Sequence, residues 1–178
     1  MGSDPIVKAP IVKLIGLIGA SALGKGFFAE TLIASFHLDG WSVSTIKRAP
    51  DGFDLDRPGK TSYARREAGC REVMLVGDRR LVLMQEFRAD PEPALATLVA
   101  RLEPVDLVIV EGFKSAAVPT IEVCVPASGR APRWPRDPHV VALVSDAPIA
   151  TALPRFAVAD IPGVTDFVVA HLGLVRRA

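Results

Sequence analysis

Two cysteines in 178 residues are too few for a disulfide framework or a thiolate metal cluster, and neither Cys70 nor Cys124 has an activating base beside it in the sequence. A reducing, cytoplasmic setting is therefore the expectation. No apolar run is long enough to cross a bilayer, residues 1–10 lack the apolar core of a signal peptide, and Ile6 stands where a myristoylation signal needs Ser or Thr. A dominant charge is missing too: 21 Lys and Arg face 20 Asp and Glu, a net charge of +1, so no strong field draws nucleic acid or a membrane surface. The pairs Arg65-Arg66, Arg79-Arg80 and Arg176-Arg177 read as solvated surface. There is no internal repeat and no low-complexity block. What is left is an N-terminal extension over 1–10 and a single domain over 11–178, whose 49% hydrophobic content supplies a core and leaves room for a subunit interface.

The most informative stretch is Gly19-Ala-Ser-Ala-Leu-Gly24-Lys25-Gly26, which fits the phosphate-loop pattern G-x-x-x-x-G-K-[ST] except at its last position. Glycines let the backbone curl around an anion, and the following helix points N–H groups and a positive dipole at phosphate oxygens. Gly19, Ser21, Gly24, Lys25 and Gly26 are thus the candidate phosphate-binding residues, with Lys25 reaching the β- and γ-phosphates. The competing reading is a bare structural turn. Context favours the loop: Ile11 to Ile18 reads as a parallel strand buried on both faces, and Phe27, Phe28, Thr31, Leu32 and Phe36 recur at helical spacing until Asp39-Gly40. Because Gly26 has no hydroxyl to offer Mg²⁺, phosphate binding and catalysis are separate questions.

Further on, Trp41 to Lys47 reads as a strand and Arg48 to Lys60 as a long charged loop of the kind that is usually functional. A short helix over 61–69, capped by Thr61 or Ser62, precedes a hairpin of 72–76 and 79–87 around Gly77-Asp78. Pro91 opens a helix through Leu102. Val105 to Val110 is an apolar strand that delivers Glu111 at its carboxyl end, where ligands of open α/β sheets bind. A carboxylate there is a Walker B arrangement, acting on Mg²⁺ or on a water; the alternative is a cap or a salt bridge near Lys114. Strands at 120–125 and 140–146 flank an exposed loop over 126–138, and a closing helix starts at Asp160 or Pro162 and runs through Leu172. Asp146 either accepts the N1–H and N2–H of guanine or caps a helix before Pro148. The alternation of strands and helices predicts an α/β fold with a mostly parallel sheet flanked by helices.

The stretches Val43–Lys47, Gly52–Lys60, Arg66–Gly69, Glu72–Leu75, Val105–Lys114 and Ile121–Val123, in this order and spacing, resemble the MobB family of molybdopterin-guanine dinucleotide biosynthesis adapter proteins. The resemblance implies a P-loop NTPase-like fold and a GTP-binding homodimer using Mg²⁺, which assists attachment of GMP to molybdopterin beside nucleotidyltransferase and molybdenum-insertion proteins. It also marks Lys47, Asp54, Asp56, Lys60 and Arg66 as a cofactor or partner loop. The chain departs from the family around the site. Gly26-Phe27 replaces Thr-Thr, Arg48-Ala-Pro-Asp51 stands where histidines are common, Thr61 replaces a frequent Asp, and Cys124 a frequent His. Three readings follow: a GTP-binding adapter with weak or absent hydrolysis, a catalytically inactive scaffold for a nucleotide or the cofactor's pyrophosphate, and a small-molecule kinase. For the kinase the sequence offers neither an acceptor site nor a lid.

Overall fold

The computed structural model describes residues 12–19, 22–49, 53–125 and 131–175. They fall into two compact units, Met1–Arg48 with Leu95–Ala178, and Ala49–Ala94. The sequence reading of one domain over 11–178 set no such boundary.

In the larger unit, β1 (Lys13–Gly19), α1 (Ala22–Leu38), β2 (Val43–Lys47), α3 (Leu95–Val99), β5 (Leu107–Glu111), β6 (Thr120–Val123), β7 (Val140–Val144), β8 (Arg155–Phe156) and α4 (Ile161–Leu172) follow along the chain. The six strands form one sheet in the order β2-β5-β1-β6-β7-β8. Every pairing in it is parallel, with Leu17 opposite Glu111 and Gly19 opposite Val123. Parallel strands need both faces covered, which explains why β5 and β6 are buried at every residue. Ile15, Leu17, Ile109, Ile121 and Val144 pack with Phe28, Leu32 and Phe36 of α1 and with Ile161, Val164 and Val168 of α4. The Thr165 hydroxyl ties α4 to Ser35 of α1 at 3.0 Å.

The closing helix starts and stops by residue type. Asp160 accepts the N–H of Gly163 at 3.1 Å, Pro162 sits in the first turn, and Gly173 ends the helix at φ 57°. The expected helix over 91–102 shrinks to Leu95–Val99. Pro93 biases Glu92 away from helical geometry, and beyond Val99 the N–H groups of Arg101 and Leu102 reach back only three residues.

The smaller unit holds α2 (Thr61–Glu67) and the antiparallel pair β3 (Glu72–Val76) and β4 (Leu81–Gln85), the hairpin expected from sequence. The expected cap on α2 is corrected: Lys60 occupies the N-cap without a side-chain bond, and the Ser62 hydroxyl instead donates to Asp56 at 3.0 Å. Met74, Val76, Leu81 and Leu83 are exposed, so the hairpin carries an open apolar surface.

Candidate functional site

At the carboxyl edge of the sheet, β1 ends at Gly19 and α1 begins at Ala22, so Gly24 and Lys25 occupy the first turn of a 17-residue helix and Gly26 is its fifth residue. That turn contains no acidic residue, which leaves its N–H groups and dipole unopposed toward an anion. Gly19 also has a packing reason, since a Cβ there would sit 2.7 Å from the Val123 carbonyl oxygen. At Gly26 a Cβ would meet nothing within 4 Å. Ser21 lies outside the described residues.

Glu111 closes β5 next to β1, and its Oε2 is paired with Lys25 Nζ; the two side chains are 10% and 18% exposed. Glu111 thus pairs with Lys25 and not with its sequence neighbour Lys114. Strand order thus brings together two residues 86 positions apart that sequence analysis had singled out separately. Gly112 follows at φ 86°, where a Cβ would collide with Arg48, and the Arg48 N–H donates to the Glu111 carbonyl at 2.9 Å. The turn after the carboxylate is therefore tied to the end of β2.

Lys25 and Glu111 line a cavity of about 550 Å³. Lys47, Arg48, Lys114 and Arg133 add positive charge to it, while Ile18, Val125, Pro132, Trp134 and Ile149 add apolar surface. A ligand with a multiply anionic end and a flat, less polar end matches this lining. Sequence reasoning missed Glu122, Arg133 and Trp134. Glu122 could have been noticed as a carboxylate inside an apolar strand, whereas the Pro- and Arg-rich loop of the other two has no periodicity to read. Cys124 also lines the cavity; burial, then the nearby Glu122 charge, push its thiol up to about 11.

Among the described residues no group of three or more His, Cys, Asp or Glu side chains converges as a metal site. Mg²⁺ keeps several waters and binds through one or two carboxylates plus substrate phosphates. Glu111 fits that mode, and Gly26 contributes nothing to it.

Other candidates lie elsewhere. Asp146 is not among the residues lining the cavity, and no helix starts there; its Oδ1 accepts the Val158 N–H at 2.8 Å, tying the segment after β7 to the segment after β8. Lys60 is exposed at the start of α2. Asp54, Asp56 and Arg66 do meet within the smaller unit, joined by Glu86, which the sequence had not suggested. Arg66 bonds Glu86 at 2.6 Å, Asp54 at 2.9 Å and Asp56 at 3.3 Å. Those bonds hold the guanidinium well above its ordinary pKa, Glu86 and Asp54 contributing most. A backbone bond from Asp56, and then Arg66, hold the Asp54 carboxyl below the usual range.

Comparison with known proteins agrees with this fold. The family model described as molybdopterin guanine dinucleotide synthesis protein B matches residues 14–146. A molybdopterin-guanine dinucleotide biosynthesis adapter protein of Escherichia coli is 31% identical over 162 residues, spanning 89% of this chain and 93% of that protein. Its Haemophilus influenzae counterpart is 30% identical over 160 residues, spanning 88% of each. Among solved structures, a crystal structure of molybdopterin-guanine biosynthesis protein B superposes with TM-score 0.71 at 20% identity, covering 89% of this chain and 99% of that one. A Bacillus subtilis MobB structure gives 0.67 at 20% identity, covering 89% and 97%.

Proposed function

The chain belongs to the molybdopterin guanine dinucleotide synthesis protein B family, and from that premise we propose that it is a GTP-binding adapter in the assembly of molybdopterin-guanine dinucleotide. One observation carries the reading: the loop lysine Lys25 and the strand-end carboxylate Glu111 meet in one cationic cavity at the carboxyl edge of a parallel sheet. Lys25 and the N–H groups of the first turn of α1 hold the phosphates. A phosphate has to draw Lys25 away from Glu111, which frees the carboxylate to orient a water or a hydrated Mg²⁺. When bound, Mg²⁺ would supply charge neutralisation between phosphates. With Gly26 in the loop, hydrolysis is slow or absent.

That same residue supports a second reading, a catalytically inactive scaffold for a nucleotide or the cofactor's pyrophosphate; Mg²⁺-independent binding without turnover separates it from the first. Guanine as the base rests on the relatives' names rather than on Asp146. The partners are molybdopterin and the nucleotidyltransferase and insertion proteins of the same pathway, in the cytoplasm. Homodimer formation is supported by the exposed apolar hairpin β3–β4, since a lone two-stranded ribbon is marginal in water.

Calorimetry with GTP and GDP, with and without Mg²⁺, tests the proposal. Lys25→Ala should weaken binding roughly tenfold or more, given the strength of charge-assisted bonds to phosphate. Unchanged affinity in that variant would remove the phosphate loop from the account.

A further inference from the structure

Glu122 sits inside β6 at 6% exposure, where a carboxylate is costly unless it is fully hydrogen-bonded. Its Oε1 accepts the Arg133 N–H at 2.8 Å, and its Oε2 accepts the same N–H at 3.1 Å and the Trp134 N–H at 2.8 Å. The Arg133 guanidinium then donates to the Lys114 carbonyl at 3.0 Å and to Asp137 at 2.6 Å. A segment without regular secondary structure is thereby fixed to the sheet, and it forms a wall of the cavity through Pro132, Arg133 and Trp134. The Trp134 Nε1–H is shut off from solvent without a hydrogen-bond partner, so the indole meets the cavity through its carbon ring and not through its N–H. In the sheet, β6 flanks β1 on the side away from β5. The loop bearing Lys25 therefore stands between the strand of Glu111 and the strand that carries this wall. A nucleotide with phosphates at the loop has its ring on one side of it, and here that side is apolar.

We propose that this wall is the purine-binding surface of the site: the exposed part of the Trp134 indole packs against the ring, while Glu122 is the positioning residue that holds the wall in place. The inference rests on the nucleotide reading above, and it assigns base contact to the segment after β6 rather than to Asp146.

The test combines GDP calorimetry with tryptophan emission. The chain has two tryptophans, and Trp41, at 8% exposure, is shielded from a soluble quencher, so acrylamide quenching reads Trp134. GDP should change the emission saturably at the concentrations calorimetry gives for binding, and Trp134→Phe should abolish that change. Trp134→Phe should weaken GDP by about two- to fivefold, as a smaller ring gives up part of the aromatic contact. It should leave the melting temperature unchanged or higher, because it removes an unpartnered donor. Glu122→Gln sets an amide N–H against a backbone N–H; it should raise Trp134 quenching without ligand and weaken GDP several-fold. Lys25→Ala should weaken GDP yet keep the full emission change at saturation.

GDP binding that leaves Trp134 emission unmoved would overturn the ring contact. A Glu122→Gln variant equal to the parent in quenching and affinity would overturn the positioning role. Should calorimetry detect no GDP binding at all, the nucleotide reading falls and the ring contact with it, while ligand-free quenching still decides whether Glu122 holds the wall.

Discussion

Glu111 stands at the end of a strand whose five residues are all buried, whereas Arg66 stands on a seven-residue helix with one buried side chain. Around Glu111 the backbone is set by apolar packing on both faces of a parallel sheet. Around Arg66, in the unit Ala49–Ala94, the buried side chains among the described residues are Val73 and Ser62, and beyond the backbone bonds of α2 and the hairpin the side-chain interactions that hold the segment are mainly ionic. The larger unit can thus carry a turn that only glycine fits, at Gly112, and a buried carboxylate such as Glu122, because the core fixes them. The smaller unit has charge-assisted bonds to one guanidinium in place of that core.

The largest effect is expected from opening the core. Phe36 is fully buried between α1 and the sheet, and Phe36→Ala should cost about 3–5 kcal/mol in urea unfolding, with nucleotide binding lost alongside. A cost below about 1 kcal/mol would break the contrast, since it would mean that burial is not what sustains the larger unit.

Next comes the ionic hub. Arg66→Ala should leave hydrogen-exchange protection in β1 and β5 intact while lowering it across α2, β3 and β4, and moderate salt should do the same to a lesser degree. Loss of protection in both units together would show that they do not differ as described. Acid offers a second route. The Asp54 carboxyl is depressed below 3.8 in the folded protein, so its contribution is fully present above that pH and is lost as pH falls through the lowered value. The smaller unit should therefore loosen below about pH 4, before the apolar core of the larger unit gives way.

Gly26→Thr sharpens the comparison from the other side. The open space around Gly26 and its place in a helix predict a gain of about 0.3 kcal/mol, together with stronger Mg²⁺ dependence of nucleotide affinity. If the parent already hydrolyses GTP at a rate the substitution leaves unchanged, a different oxygen serves the metal, with Ser21 the first residue to examine. The mildest probe leaves the fold untouched. Cys70 is exposed in the smaller unit, whereas the Cys124 thiol, raised to about 11, is roughly a thousandth ionised at pH 8. Iodoacetamide should label Cys70 first, and equal labelling would show that Cys124 is less enclosed than described.

Most of the sheet was legible because period, composition and punctuation agree along β1, β5, β6, β7 and α4. Gly19, Lys25 and Glu111 were legible for the same reason, since a phosphate loop needs its strand and helix and both are strongly patterned. Illegible parts share a different cause. Helix α3 is shortened by Pro93, a local conflict that the apolar stripe of Leu95, Leu98, Val99 and Leu102 conceals. Glu86 and Glu122 act through partners far away in sequence, and Asp146 is occupied by the N–H of Val158, a bond no local pattern encodes. The division into two units rests on where contacts concentrate, which composition does not report.

The strand order also decides when this site can exist. Both sheet neighbours of β1 lie beyond the smaller unit in the chain, and Lys25 is made 86 residues before Glu111. At typical synthesis rates that interval is on the order of ten seconds. During it, β1 emerges with neither edge paired by its native neighbours, an apolar ribbon that a nascent chain must keep from misassociating. Pairing across such sequence separations carries a heavy loop-closure cost before any contact offsets it. Closure of the Lys25–Glu111 pair is therefore a late event in the life of the molecule, possible only when β5 enters between β1 and β2.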